Sequence, residues 1–352
     1  MTSTFFKTQL PETRARLQNW WEHGDQDRPC FLFSLPLLPG AEIPDTEDLE
    51  RWWMDVDFIL EHQMAEIERT DLLGESAPFH YANRGSSAME GVLGAQMKYI
   101  DKETVWAYPC FETVEQAAEV IADPANIWRS STLEITRRST ALAHEHHFVA
   151  PYAMEGVSDI LSGLYGTENL LMDMLEKPQA VEIAVERIKR IWIELFAEIQ
   201  GLIAQSGNPG GIGWAGIWAP GTTFPLQEDF SYMISARLYR RFCLPHVADM
   251  IDAMDYGFYH LDGVGAIPHL SALLGLQKLR AIQWVPGTGK EELAPWHELI
   301  GRILAAGKSV EVFARPDEVA PLVAAVGLKG LLIHVTCSRP EAEALLSTRW
   351  VR

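Results

Sequence analysis

His260 and Asp262 stand two residues apart at the end of an apolar run, and Gln283 and Trp284 close the next one, Leu279 to Val285. An imidazole and a carboxylate at that spacing can ligate a divalent metal or exchange a proton with a substrate. Glu155 follows the run from Phe148 to Met154, Glu311 lies inside 309–314, His334 inside 330–336, and Cys337 just behind it. Glu155, His260, Asp262 and Glu311 are therefore the candidate catalytic groups. Gln283, His334 and the indoles of Trp214, Trp218 and Trp284 are the candidate substrate contacts, since flat aromatic walls suit a ring, a sugar or a methylammonium group. The plainer alternative is that His260 and Asp262 only hydrogen-bond neighbouring loops.

Such groups can act together only if the fold brings strand ends to one place. Apolar runs at 28–35, 77–82, 148–154, 210–218, 257–261, 279–285, 309–314 and 330–336 read as strands. Helical patterns separate them, and the last four follow on a tight beat. Strand, glycine-rich loop, helix and strand between Tyr256 and Val285 make a βαβ unit. Eight strands alternating with helices predict a single α/β domain over 1–352, a (β/α)8 TIM barrel, with residues 7–24 as an N-terminal helical extension. In such a barrel, ligands sit at the carboxyl ends of the strands.

Composition narrows the function classes. Among 352 residues, 47% are hydrophobic and 22% charged, and the formal charge is −19. Nucleic acid and anionic membrane surfaces need clustered cations, so neither is expected as a partner. Cys30, Cys110, Cys243 and Cys337 lack CxxC spacing, no signal peptide is read ahead of them, and no apolar run nears the ~20 residues of a membrane span. A cytoplasmic protein with reduced thiols is expected. Of the twelve tryptophans, Trp20, Trp21, Trp52 and Trp53 fall in helical patterns and read as packing residues. Trp106 lies near a strand end and joins the candidate cavity walls. His144, His146 and His147 end a charged helix and read as surface residues rather than a metal cluster.

The chain resembles the uroporphyrinogen decarboxylase superfamily. The resemblance rests on Glu155-Gly156, on Gly166 to Pro178, on Leu226-Gln-Glu-Asp-Phe-Ser, on Leu238-Tyr-Arg-Arg-Phe-Cys-Leu-Pro, and on His260-Leu-Asp-Gly. The superfamily's true decarboxylases carry an arginine-rich signature after the first strand, which binds the carboxylates of a tetrapyrrole. Here that segment is Phe31-Leu-Phe-Ser-Leu-Pro-Leu-Leu-Pro-Gly, without a basic residue. Many carboxylates need cations to offset their desolvation, so the resemblance points away from porphyrinogen decarboxylation.

It points instead to the branch of zinc-dependent, corrinoid-linked methyltransferases, whose metal is held by His-x-Cys at one strand end and a Cys at the last. His260, Asp262 (in place of the first Cys) and Cys337 stand at those positions, which implies zinc at these three and a corrinoid carried by a separate partner protein. A carboxylate donates less charge than a thiolate and leaves a stronger Lewis acid, or the site holds no metal and His260 hydrogen-bonds a carboxylate. The expected function is small-molecule group transfer, foremost of a methyl group. A decarboxylase or lyase acting on a smaller substrate is the runner-up, and a non-catalytic ligand-binding barrel the third reading.

Overall fold

The computed structural model describes residues 5–350. In chain order its strands are β1 (Cys30–Ser34), β2 (Phe79–Tyr81), β3 (Met97–Tyr99), β4 (Val105–Ala107), β5 (Phe148–Ala150) and β6 (Gly211–Ile212). Then come β7 (Trp218–Ala219), β8 (Thr223–Leu226), β9 (Tyr256–Asp262), β10 (Leu279–Val285), β11 (Ser309–Ala314) and β12 (Leu331–Thr336). Six of them form one sheet in the order β8-β9-β10-β11-β12-β1, every pair parallel. Helices such as His297–Ala305 and Pro316–Val326 make the crossovers. The second of these starts with Pro at its first position and stops at Gly327, whose φ of +83° suits glycine. No helix among the described residues is long and apolar enough to cross a membrane.

In place of the expected closed eight-stranded barrel there is this six-stranded parallel arc and, apart from it, a parallel pair, β2 with β5. On the free edge of β1, side chains take the place of a ladder. Glu75 accepts the amide of Phe31 at 2.6 Å, Ser76 accepts that of Phe33 at 3.0 Å, and the amide of Glu75 donates to Phe31 O at 2.8 Å. The strand expected over 210–218 is corrected. That stretch doubles back as the antiparallel pair β6–β7, and the parallel strand is β8. Gly216, at φ +76°, turns the chain against the Phe79 ring, and Gly213 lies against Pro225. A proline is tolerated in β8 because it is the terminal strand of the sheet.

Alternation along the strands sorts side chains into two layers. Phe31, Phe33, Tyr259, Leu261, Ile282, Trp284, Val310, Val312, Ile333 and Val335 face outward into the helix layer. Cys30, Leu32, Phe258, Ala281 and Leu332 face inward, where the helix Leu10–Trp21 covers them. Trp20 Nε1 donates to Gly330 O at 2.9 Å and Trp21 Nε1 to Trp218 O at 2.8 Å, and both rings meet Phe258 edge-on. The N-terminal extension thus plugs the amino end of the sheet. Truncating either indole would cost about 3–5 kcal/mol.

Candidate active site

Two residues beyond each inward apolar position, the inner face turns polar. Leu32 is followed by Ser34, Phe258 by His260, Ala281 by Gln283 and Leu332 by His334, with Glu311 in the same phase on β11. These side chains form one chain across five neighbouring strands. His260 Nδ1 meets Gln283 Oε1, Gln283 Nε2 donates to Glu311 Oε2 at 2.7 Å, and Glu311 Oε1 faces His334 Nδ1 at 3.8 Å. His334 Nε2 then meets Ser34 Oγ at 2.8 Å. Glu311 is fully buried, the Trp214 ring stands edge-on to His260 at 5.3 Å, and Phe313 stacks on His334 at 4.9 Å.

The donor order fixes one tautomer. An ionised carboxylate accepts only, so Glu311 draws the amide nitrogen of Gln283 and turns its oxygen towards His260. His260 therefore carries its proton on Nδ1 and presents the Nε2 lone pair, the form in which an imidazole binds metal.

Asp262 continues the inward phase of β9, and the chain beyond β8 adds Asp229. The ligand atoms of Asp229, His260 and Asp262 all lie within 4.8 Å of one another, so two carboxylates and an imidazole fit a divalent cation. Burial pushes the Asp229 carboxyl up to about 6; His260 opposes the rise, and Asp262 and Glu228 add to it. Solvent reaches Asp229 at the rim and screens part of this effect. Asp229 and Asp262 open on a cavity of about 350 Å³ whose wall includes Tyr232, Thr288 and Lys290. The close approach of Tyr232 explains two glycines, since a Cβ on Gly265 would lie 2.5 Å from its ring and one on Gly263 3.0 Å.

Other expected site residues lie elsewhere. Cys337 is one residue out of the inward phase. It packs on the outer hydrophobic layer while its amide donates to Ser34 O at 3.3 Å, and the convergent ligand group holds Asp229 in its place. Trp284 is also out of phase, fully buried outside the sheet against Trp296. Trp218 lies at the amino end beneath Trp21, and Trp106 projects from the β3–β4 hairpin at 62% exposure, so neither lines the site. Glu155 gives both oxygens to the first turn of the helix Ala88–Val92, accepting from Ala88 N at 2.8 Å and Met89 N at 3.1 Å. Burial and the neighbouring Glu90 push its carboxyl up, and burial pushes Glu90 up to about 8. The two amides favour the charge on Glu155, so Glu90 keeps the proton at neutral pH. His147, expected at the surface, is fully buried against Ser139 and His146.

Asp229 was missed although it lies inside the Gln-Glu-Asp-Phe motif, and Ser34 was missed as the polar end of an apolar strand. A second group, Glu228, Cys243 and His246, also converges but is buried and internally satisfied. Glu228 accepts from Val157 N at 2.9 Å, Ser158 N at 3.2 Å and His246, and Cys243 Sγ meets Ser158 Oγ at 3.3 Å. A larger cavity of about 620 Å³, beside the amino end of β1, is lined by Arg16, Arg28 and Glu75. Two of its cations are already paired, Arg28 with Glu75 at 2.6 Å and Arg16 with Asp27 at 2.9 Å.

No protein-family model matches the chain, and no curated protein is similar to it in sequence. Among solved structures it is similar to a methyltransferase from Methanosarcina mazei, with a TM-score of 0.60 and 13% identity over 96% of this chain and 98% of that one, a likeness that shows the α/β fold.

Proposed function

We propose that the chain is a small-molecule group-transfer enzyme, foremost a methyltransferase, of the uroporphyrinogen decarboxylase superfamily, and that its arc and its β2–β5 pair are parts of one (β/α)8 barrel. The observation that carries this reading is the convergence of Asp229, His260 and Asp262 within 4.8 Å at the carboxyl end of the sheet. A divalent metal held there, zinc being the natural choice for such donors, would supply Lewis acidity towards a substrate heteroatom. Gln283 and Glu311 hold His260 in its ligating tautomer, and Trp214 fixes the ring from the side. Tyr232 walls the cavity, and Asp229 and Asp262 favour neutral or cationic substrates over anionic ones. The name of the structural neighbour agrees with methyl transfer, and the open cavity leaves the second methyl carrier to a separate protein, a corrinoid protein in this reading. Decarboxylation of a polycarboxylate gains no support from a wall on which Lys290 faces two aspartates.

The test is metal analysis of purified protein combined with a transfer assay from methylcobalamin to small thiol, hydroxyl and amine acceptors. One equivalent of zinc, and metal-dependent loss of the cobalt–methyl absorbance, are expected; both should disappear in His260→Ala. Protein that takes up no metal at micromolar zinc would overturn the reading.

A further inference from the structure

The same inner face holds a second arrangement, which shares only Glu311 with the metal-centred reading. Ser34, His334 and Glu311 stand on three adjacent strands, β1, β12 and β11. Ser34 Oγ lies 2.8 Å from His334 Nε2, and His334 Nδ1 lies 3.8 Å from Glu311 Oε1. Those last two atoms are buried and have no hydrogen-bond partner, although they face one another. Exposure rises along the line: Glu311 is 0% exposed, the His334 side chain 22%, and Ser34 lies open to solvent. Phe313 stacks on the imidazole at 25° and restricts its plane, while Gln283 holds the other Glu311 oxygen.

Each part has a physical role. A buried carboxylate facing Nδ1 selects the tautomer with its proton there and leaves Nε2 to accept from the serine hydroxyl. A gap of 3.8 Å closes with a small side-chain rotation, and such contacts tighten when a substrate excludes water. An exposed serine could satisfy His334 by itself. That role would not account for a fully buried glutamate aimed at the far side of the ring with one oxygen unpartnered.

We propose that Ser34 is a nucleophile activated by His334 and oriented through Glu311, giving the protein an acyl-transfer activity on small esters. In the forward step Ser34 Oγ bonds to the ester carbonyl carbon and its proton passes to His334 Nε2. The carbon–alkoxide bond then breaks and the alcohol leaves with that proton; water, deprotonated by the same nitrogen, releases the acid and restores the serine. The chain's charge of −19 favours neutral or cationic esters over anionic ones. This centre needs no metal at His260, although Glu311 serves both through its two oxygens.

The test treats the full chain, in EDTA, with a fluorophosphonate and maps the adduct by mass spectrometry. Phosphonylation forms the Ser34 O–P bond, breaks P–F, and passes the serine proton to His334 as fluoride leaves. One adduct per chain at Ser34 is expected, with none at that position in Ser34→Ala. Labelling should be about 100-fold slower in His334→Gln, and Glu311→Gln should fall between that variant and the wild type. Hydrolysis of p-nitrophenyl acetate should follow the same order. Absence of an adduct at Ser34 in the wild type would overturn the proposal, as would equal labelling rates in the wild type and His334→Gln. If His334→Gln does not fold, Glu311→Gln makes the comparison, and an unchanged rate there is equally decisive. Insensitivity to EDTA separates this activity from the metal-dependent transfer, so either can fail without the other.

Discussion

Gln283 donates from Nε2 to Glu311 at 2.7 Å and thereby turns its carbonyl oxygen to Nδ1 of His260. One neutral side chain between a carboxylate and an imidazole decides which nitrogen of the imidazole is free. Replacing Gln283 with Leu keeps the volume but releases that choice and leaves Glu311 Oε2 unpaired. Zinc affinity should fall about 10–100-fold, and stability by about 1–3 kcal/mol. Competition with a chromophoric chelator measures the first; unchanged affinity would show that the amide does not orient His260.

Metal binding should weaken as pH falls through 6, because the Asp229 carboxyl is raised to about 6 from an ordinary 3.8. The sign follows from competition. Below about 6 the carboxyl takes a proton and no longer ligates, whereas an unshifted aspartate would ligate down to about pH 4. In Asp229→Asn the affinity should be lower throughout, and its fall between pH 7 and pH 5 should be shallower by the one proton that Asp229 no longer takes up. Isothermal titration at several pH values would show whether the slope is reduced; an unchanged slope would remove Asp229 from the ligand set.

Cys337→Ser should leave zinc content unchanged, while Asp262→Asn should lower it. The argument is phase: Cys337 is an odd step from His334, and its side chain packs on the outer layer. Equal metal loss in the two variants would restore Cys337 to the ligand set.

Glu90→Gln should stabilise the protein at neutral and alkaline pH. Burial raises the Glu90 carboxyl from 4.5 to about 8, and its Oε2 has no hydrogen-bond partner. Above pH 4.5 the unfolded chain gives up this proton while the folded chain keeps it, so wild-type stability declines up to about pH 8 and then levels off. A neutral amide removes that decline. Melting temperatures between pH 5 and pH 9 should converge at the acid end and separate at the alkaline end; parallel curves would contradict it.

The legible parts of the chain were those where one periodicity ran long enough to dominate. β10 and β11 match their expected bounds residue for residue because each is an apolar run between glycine-bearing or polar loops. β2 and β5 are three residues each, and β8 was hidden behind a glycine hairpin that imitates a strand. Within the site, His260, Asp262, Gln283, Glu311 and His334 were recognisable as polar residues in or at the end of apolar strands. The inward phase separates them from Trp284 and Cys337, and it becomes visible only once Phe258, Ala281 and Leu332 are known to share one face. Asp229 depended on where β8 ends, which no local pattern marked.

The plug formed by Trp20 and Trp21 has a consequence for synthesis of the chain. The acceptor of the Trp20 indole is the carbonyl of Gly330, 310 residues away. Ser309 and Leu331, both near the carboxyl terminus, also bond to the segment containing Trp20 and Gln26. On a ribosome adding about 5–20 residues per second, the first helix would wait about 15–60 s for its seat. Throughout that interval two adjacent indoles face solvent or a holdase chaperone, and the docking step joins segments 310 residues apart. Truncation a few strands short of the end would therefore leave the first helix, as well as the last strands, unable to fold, and ribosome-bound fragments lacking β12 should be protease-sensitive at their amino termini.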